Sequence, residues 1–367
     1  MRMVKLFIMM VITNSFCFQS YAQYSAADLQ RLLTIPMQYT VFKTSEKIMI
    51  DGKGDEKAWA QARWTPVFSD ISTGHAPDEK HQTKCKMLWD DNFLYVYADI
   101  TEHDLWASIT KTDSPVFQDN ALEMFIAPDG GTYNYVEFQI NAFGTTWDLF
   151  LPRPYRNGGA GLTSWDINGL QKAVHLSGTI NNPSDKDKGW SIELAVPFRS
   201  VMMNGSKNPS NGTIWRMNFS RVQWQLDTSD GKYYRKKNEQ GRVVSERYDV
   251  WSPQGIINLH MPERWGYVLF SDSVSNKKVL SAADEKLKLQ AWKYYYLQQQ
   301  FLRENGKYAS RLKQLDKLFR KESGTKKQKR GVRMYADEKQ FLLEIFLPFS
   351  KQMMILDDEG EVHFNKK

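Results

Sequence analysis

Two stretches of this chain place hydrogen-bonding side chains at every second residue. Tyr133, Tyr135, Glu137, Gln139 and Asn141 make one row, and Arg216, Asn218 and Ser220 make another. Glu123 and Glu193 sit at matching positions between apolar neighbours in their own runs. A period of two puts each row on one face of a strand. Solvated strand faces favour Lys, Glu and Thr. Rows of Asn, Gln, Arg and Tyr suit planar hydrogen bonding to hydroxyl groups, with aromatic faces left for stacking. A sugar ring calls for that mixture: C–H faces for aromatics, hydroxyls for amides and carboxylates. The plainer alternative is a solvated sheet face with a few buried polar pairs.

The chain is 13% aromatic. Trp89, Trp190 and Trp215 fall in phase with core residues and read as structural. Trp147, Trp165, Trp224 and Trp251 fall at strand ends or in loops, where a stacking platform can form. Trp147-Asp148, Arg153-Pro154-Tyr155-Arg156 and the glycine-rich Asn157-Gly158-Gly159-Ala160-Gly161 compose a long loop of the kind that lines sites. No Gly-x-Ser-x-Gly elbow accompanies a Ser-His-acid set. Glu123, Glu137 and Glu193 could supply a glycosidase pair by residue type. The six His are scattered, with His260 the most notable, and no zinc-ligand spacing links them to the two Cys. The expectation is that no cofactor is required.

These residues need strands to position them, and the chain supplies alternating runs. Leu94, Val96, Ala98 and Ile100 alternate with Phe93, Tyr95, Tyr97 and Asp99, behind an Asp90-Asp91-Asn92 turn. Similar runs surround Met124, Phe138, Ile192 and the stretch 214–224. Many short strands without helical patterns between them predict a mainly β chain, an antiparallel β-sandwich of jelly-roll type. After residue 280 the pattern changes. Ser281 and Asp284 resemble a capping box opening a helix to Asn305, with Gly306 as its stop. Leu312, Leu315 and Phe319 predict a second helix, Lys326, Lys327, Lys329, Arg330 and Arg333 a basic loop, and residues 341–347, 353–356 and 362–364 short strands.

The 367 residues carry a net charge of +7, unevenly spread. From Lys277 onward 21 basic residues face 12 acidic ones, whereas eleven of the twelve Trp precede residue 273. Both shifts fall near Ser271–Asn276, so the chain divides into a sandwich (40–272), a linker (273–279) and a basic region (280–367) of small α+β type. The basic region could meet cell-envelope components; nucleic acid is not expected, since no binding motif is present. Arg2, Lys5, the apolar run from Leu6 to Ile12 and Ser20-Tyr21-Ala22 form a secretory signal peptide over residues 1–22, cleaved between Ala22 and Gln23. A short lead, 23–39, follows. Lipidation of Cys17 would require a small residue where Phe16 stands. No later apolar run is long enough to span a membrane, so the expected product is secreted, to the periplasm or the cell exterior.

Five stretches in order resemble a known family. They are Ile50-Asp51-Gly52 with Asp55, Ala58 and Trp59; Leu88-Trp89-Asp90-Asp91 with Leu94-Tyr95-Val96; Phe117 and Asp119 with Glu123-Met124-Phe125-Ile126; Gly189-Trp190 with Glu193 and Val196-Pro197-Phe198; and Pro262-Glu263-Arg264-Trp265-Gly266. Together they look like the carbohydrate-binding module family 9-like group, a DOMON-like β-sandwich, over residues 40–272. Residues 215–224 and 250–266 look most like its secreted bacterial branch. The resemblance implies a sugar ring clamped between two aromatics and held by Glu, Arg and Asn. The first clamp falls on Phe117 and the Glu on Glu123. Gln139 stands where the family has Arg, and the Asn falls on Asn141. The second clamp falls near Leu259, with His260 beside it. Structural calcium is also implied, without ligands that transfer residue by residue.

The expectation is therefore a secreted, non-catalytic protein binding oligo- or polysaccharide in the service of polysaccharide capture or breakdown. Its site would be drawn from Phe117, Glu123, Gln139, Asn141, Trp147, Arg216, Asn218, Trp251 and His260. The alternatives are a glycoside hydrolase acting through paired carboxylates, and a haem-binding or structural envelope domain of the same fold.

Overall fold

The structure, a computed structural model, describes residues 24–202, 206–273, 281–323 and 331–366. The expected signal peptide with its expected Ala22–Gln23 cleavage point, Cys17, nearly all of the expected linker and the basic stretch before Arg333 lie outside the described residues.

The protein is mainly β. In chain order the strands of the large sheet are β1 (Gln38–Lys43), β2 (Ser69–Asp70), β3 (Thr83–Trp89), β4 (Phe93–Thr101), β5 (Ala121–Ala127), β6 (Tyr135–Asn141), β7 (Thr146–Leu151), β8 (Gln171–Ser177), β9 (Gly189–Pro197) and β10 (Ile214–Gln223). A hairpin of β11 (Leu226–Ser229) and β12 (Lys232–Arg235) stands apart, and β13 (Arg247–Val250) and β14 (Gly266–Ser271) complete the sheet. The order β7-β6-β5-β10-β14-β1-β3-β4-β9-β8 is one continuous path. It is not wholly antiparallel: β1 runs parallel to both β14 and β3 and joins the two halves.

The sheet curls on itself because its alternating apolar residues share one core. Met87, Val96, Ile192 and Leu194 of one half pack in the same cluster as Leu122, Met124, Phe138, Ile140, Met217 and Phe219 of the other. Each such side chain contributes about 1.5–3 kcal/mol when fully buried. Trp89, Trp190 and Trp215 are buried here as their phase predicts, and Trp215 meets Phe270 edge-on at 4.8 Å. The opening Ile50-Asp51-Gly52 stretch is tied down by Glu193 of β9. Its carboxylate accepts hydrogen bonds from the Asp51 and Gly52 amides at 3.0 and 2.8 Å and from the Trp59 indole at 2.9 Å. Gly52 has φ +90°, and a Cβ there would lie 2.7 Å from the His175 amide nitrogen. Motifs far apart in sequence thus close one structural clasp, which removes Glu193 from the glycosidase candidates.

The C-terminal region contains the long helix and four strands. With α1 (Ala26–Leu32) at the N-terminus and the single turn α2 (Phe198–Val201), the helices are α3 (Ala282–Asn305) and α4 (Leu312–Ser323). β15 (Val332–Ala336), β16 (Phe341–Leu347), β17 (Gln352–Asp357) and β18 (Val362–Lys366) form an antiparallel sheet against α3. Arg333, expected in a loop, lies in β15. Ser281 caps α3, and Gly306 ends it at φ +70°. Asp284 does not complete a capping box; its carboxylate accepts the Phe349 and Ser350 amides instead.

A second core buries Trp292, Tyr295 and Tyr296 of α3 with Leu343 and Ile345 of β16. Leu29 and Leu32 of α1, and Met261 from the sandwich segment, belong to this core too. The N-terminal lead is therefore part of the C-terminal body, and the two bodies meet across a buried surface. No helix among the described residues is long and apolar enough to cross a membrane.

Candidate functional site

A cleft of about 930 Å³ opens on the outer face of β5, β6 and β7, bordered by the segment 256–261 and by α1. Strand register builds its floor. Glu123 pairs with Gln139, and Gln139 with Trp147, while Ser220 of β10 lies on the other side of Glu123. One row across four strands therefore reads hydroxyl, carboxyl, amide, indole. The next row places Glu137 beside Leu149. The residues between them, Leu122, Met124, Phe138 and Ile140, turn into the sandwich core, so the strands cannot slip without exposing it.

Side-chain contacts then run along the wall. Phe117, in a 3₁₀ turn at Val116–Gln118, stacks on Trp147 with centroids 6.2 Å apart and planes inclined by 29°. The Phe117 amide donates to Gln139 Oε1 at 2.8 Å, and Gln139 Nε2 donates to Glu137 Oε1 at 2.7 Å. Glu137 Oε2 lies 3.6 Å from His260 Nε2. Tyr155 meets the His260 ring edge-on at 4.4 Å, and His260 Nδ1 contacts the Tyr135 hydroxyl at 3.0 Å. Among the described residues, the buried Trp147 Nε1 and Glu123 Oε2 have no hydrogen-bond partner.

Burial sets the charge of this wall. It holds the Glu137 carboxyl up at about 7, against which the Gln139 amide acts by favouring the ionised form. Glu123 is pushed well up by burial and by the neighbouring Glu137 charge, with Ser220 opposing. His260 is lowered to about 3 because burial disfavours the imidazolium, so it is neutral near pH 7. The floor thus presents a protonated Glu123, a Glu137 that titrates near neutral pH, an amide and a neutral imidazole, which between them donate and accept hydrogen bonds.

Five of the nine expected site residues line the cleft: Phe117, Glu123, Gln139, Trp147 and His260. The other four are placed elsewhere. Asn141 is buried, donates to Asp119 and the Ile109 carbonyl, and accepts the Phe143 and Thr145 amides. Arg216 donates to the Trp265 carbonyl and lies 3.6 Å over the Tyr267 ring. Asn218 exchanges two hydrogen bonds with the Ser252 backbone. Trp251 is core, against Tyr39 and Phe219. Of the other candidate platforms, Trp224 is buried with its indole donating to the Phe117 carbonyl, and Trp165 packs on Phe150. Sequence reasoning did not single out Tyr248, Tyr155 and Arg156 as site residues, although the loop carrying the last two was marked as a possible lining.

Asp113, Asp148 and Asp166 bring carboxylate oxygens within 4.8 Å of one another. In donor type they suit a hard cation such as calcium, but the Lys172 ammonium lies near enough to act on Asp148 and would compete.

Residues 50–231 match a family described as carbohydrate family 9 binding domain-like. Among curated proteins, an endo-1,4-beta-xylanase A of Thermoanaerobacterium saccharolyticum is 28% identical over 129 residues, 35% of this chain. An exoglucanase XynX of Acetivibrio thermocellus is 26% identical over 122 residues, 33% of this chain. The matched stretch is 9% of the length of each of these larger proteins. Among solved structures, a carbohydrate binding module family 9 of Caldicellulosiruptor kristjanssonii in complex with cellotriose has 17% identity and a TM-score of 0.42, covering 66% of this chain and 98% of that one.

Proposed function

The chain belongs, over residues 50–231, to the carbohydrate family 9 binding domain-like family, and from that premise we propose a secreted, non-catalytic protein that binds a saccharide in the cleft above β5, β6 and β7. The observation that carries this reading is the continuous wall from the stacked Phe117 and Trp147, through Gln139 and Glu137, to His260 and Tyr155. Aromatic faces at both ends offer stacking for the C–H surface of a sugar, and the groups between offer hydrogen bonds to its hydroxyls. Protonated Glu123 can donate as well as accept, and Trp147 Nε1 is a buried donor without a partner among the described residues.

A glycosidase needs one carboxyl protonated and the other ionised as nucleophile or base. Here burial raises both, Glu123 well up and Glu137 to about 7, so a pair in two protonation states is the second reading, and release of sugar from a glycan by the purified chain would support it. Individual contacts of this kind are modest, so an affinity of about −4 to −8 kcal/mol, millimolar to micromolar, is expected. The relatives' names point to β-linked plant polysaccharides as the first ligands to try.

The test is electrophoresis of residues 23–367 through native gels containing xylan, soluble β-glucan or other plant, algal and host polysaccharides. Retardation by one glycan, lost in Phe117→Ala and Trp147→Ala with folding intact, is the expected result. A wild-type mobility unchanged by every glycan would sink the reading.

A further inference from the structure

The loop that brings Tyr155 to the cleft is held from the C-terminal region. Arg156, the next residue, has a side chain only 10% exposed, and its guanidinium donates to Glu263 Oε1 at 2.6 Å. The same Glu263 oxygen accepts the Tyr296 hydroxyl of α3 at 3.0 Å. The guanidinium carbon lies 5.9 Å from the Trp292 ring centre and 5.6 Å from that of Tyr295. On its remaining side sits the turn between β17 and β18. A Cβ on Gly360 would come 3.1 Å from Arg156 Nη2 and 3.0 Å from the Tyr295 hydroxyl, and its φ of +76° also favours glycine. The turn grips the neighbourhood as well: Thr132 donates to the Gly360 carbonyl at 2.7 Å, and Tyr133 donates to the Glu359 carbonyl at 3.2 Å and accepts from Asn157 at 2.9 Å.

We propose that the C-terminal region is a working part of the saccharide site, clamping Arg156 between Glu263, the aromatic face of α3 and the Gly360 turn so that Tyr155 is held against His260 as the far wall of the cleft. The proposal rests on the saccharide-binding reading. Tyr155, Arg156 and Asn157 form a single 3₁₀ turn. Fixing the buried Arg156 therefore fixes the backbone of Tyr155, whose own side chain is 42% exposed and could not order itself by burial. Arg156 and Gly360 are positioning residues here. A module merely tethered to the sandwich would meet it through an exposed, mobile rim; this link is instead a desolvated cation with aromatic walls, where small displacements are costly.

The test uses the full mature chain and two readouts. In Arg156→Gln, amide hydrogen exchange over residues 154–161 is expected to quicken by about tenfold or more while β5, β6 and β10 keep their protection. Arg156→Lys, which keeps the charge, should restore part of it. Retardation in xylan or soluble β-glucan gels should weaken to the extent seen in Tyr155→Ala, and the double variant Tyr155→Ala/Arg156→Gln should be no worse than either alone. Unchanged exchange over 154–161, or losses that add in the double variant, would overturn the proposal. If the wild type binds no glycan, the saccharide reading fails, and the exchange result still decides whether the C-terminal region positions this loop.

Discussion

At the residue scale the cleft is defined by groups whose ionisation burial has altered. Glu137 keeps its proton in the folded chain up to about 7, whereas an exposed Glu releases it at 4.5. Between those values the folded state binds a proton that the unfolded state has lost, so stability falls as pH rises. The stability tied to the protonated carboxyl is fully present below 4.5 and lost once pH passes about 7. Glu137→Gln should remove this loss. The melting temperature of the variant relative to wild type should climb steadily across that window, by a few degrees for each ~1 kcal/mol. A difference that stays flat with pH would mean that Glu137 is ionised throughout. Glu193 shows the opposite use of a strand carboxylate: three donors converge on it and make it a clasp.

At the element scale, the end of the β6–β7 hairpin explains why Asn141 turns its amide into the fold and not into the cleft. Asp119 accepts the amides of Ser108 and Ile109 and the Ser108 hydroxyl, and Asn141 bridges it to the hairpin. This network fixes the approach to Phe117 from below the cleft. Asn141→Ala would strand several buried partners, at about 1–3 kcal/mol for each group left unpaired. Thermal melts should show a marked loss of stability, with glycan retardation kept at temperatures where the variant is folded. Normal stability combined with lost retardation would restore Asn141 to the binding surface.

At the scale of the whole molecule, two cores share one chain, and the N-terminal helix belongs to the second. Leu29, Leu32 and Met261 bury themselves with α3 and α4, the Tyr267 hydroxyl of β14 donates to Glu285 of α3 at 2.9 Å, and the Arg156 guanidinium lies against Trp292 and Tyr295 of α3. Cooperative units follow buried contact, not sequence order. Calorimetry of residues 23–367 should therefore give one transition. Two well-separated transitions would show the bodies to be independent. Ending the chain at residue 273 would uncover Glu263 and Arg156, and that truncated protein should be less stable than the intact one.

The sequence alone determined the central strands of the sheet and most of the cleft floor. Period-two alternation marks β4, β5, β6, β9 and β10, because one face of each must be apolar to make a core, and the same parity assigns Glu123, Glu137 and Gln139 to the opposite face. The helix from Ser281 to Gly306 was legible from its cap and stop. Tertiary structure decided which polar residues face ligand space and which are tied up by the fold. Asn141, Arg216 and Asn218 share the parity and chemistry of the cleft residues, yet each meets backbone groups that no local pattern reveals. It also decided that β1 runs parallel to its neighbours, that α1 joins the C-terminal core, and that Arg156 is caught between Glu263 and α3. Apart from the β1–β3 pairing, 46 positions apart, these join residues more than a hundred positions apart, fixed by the closing of the sheet and the docking of the helices rather than by neighbours in sequence.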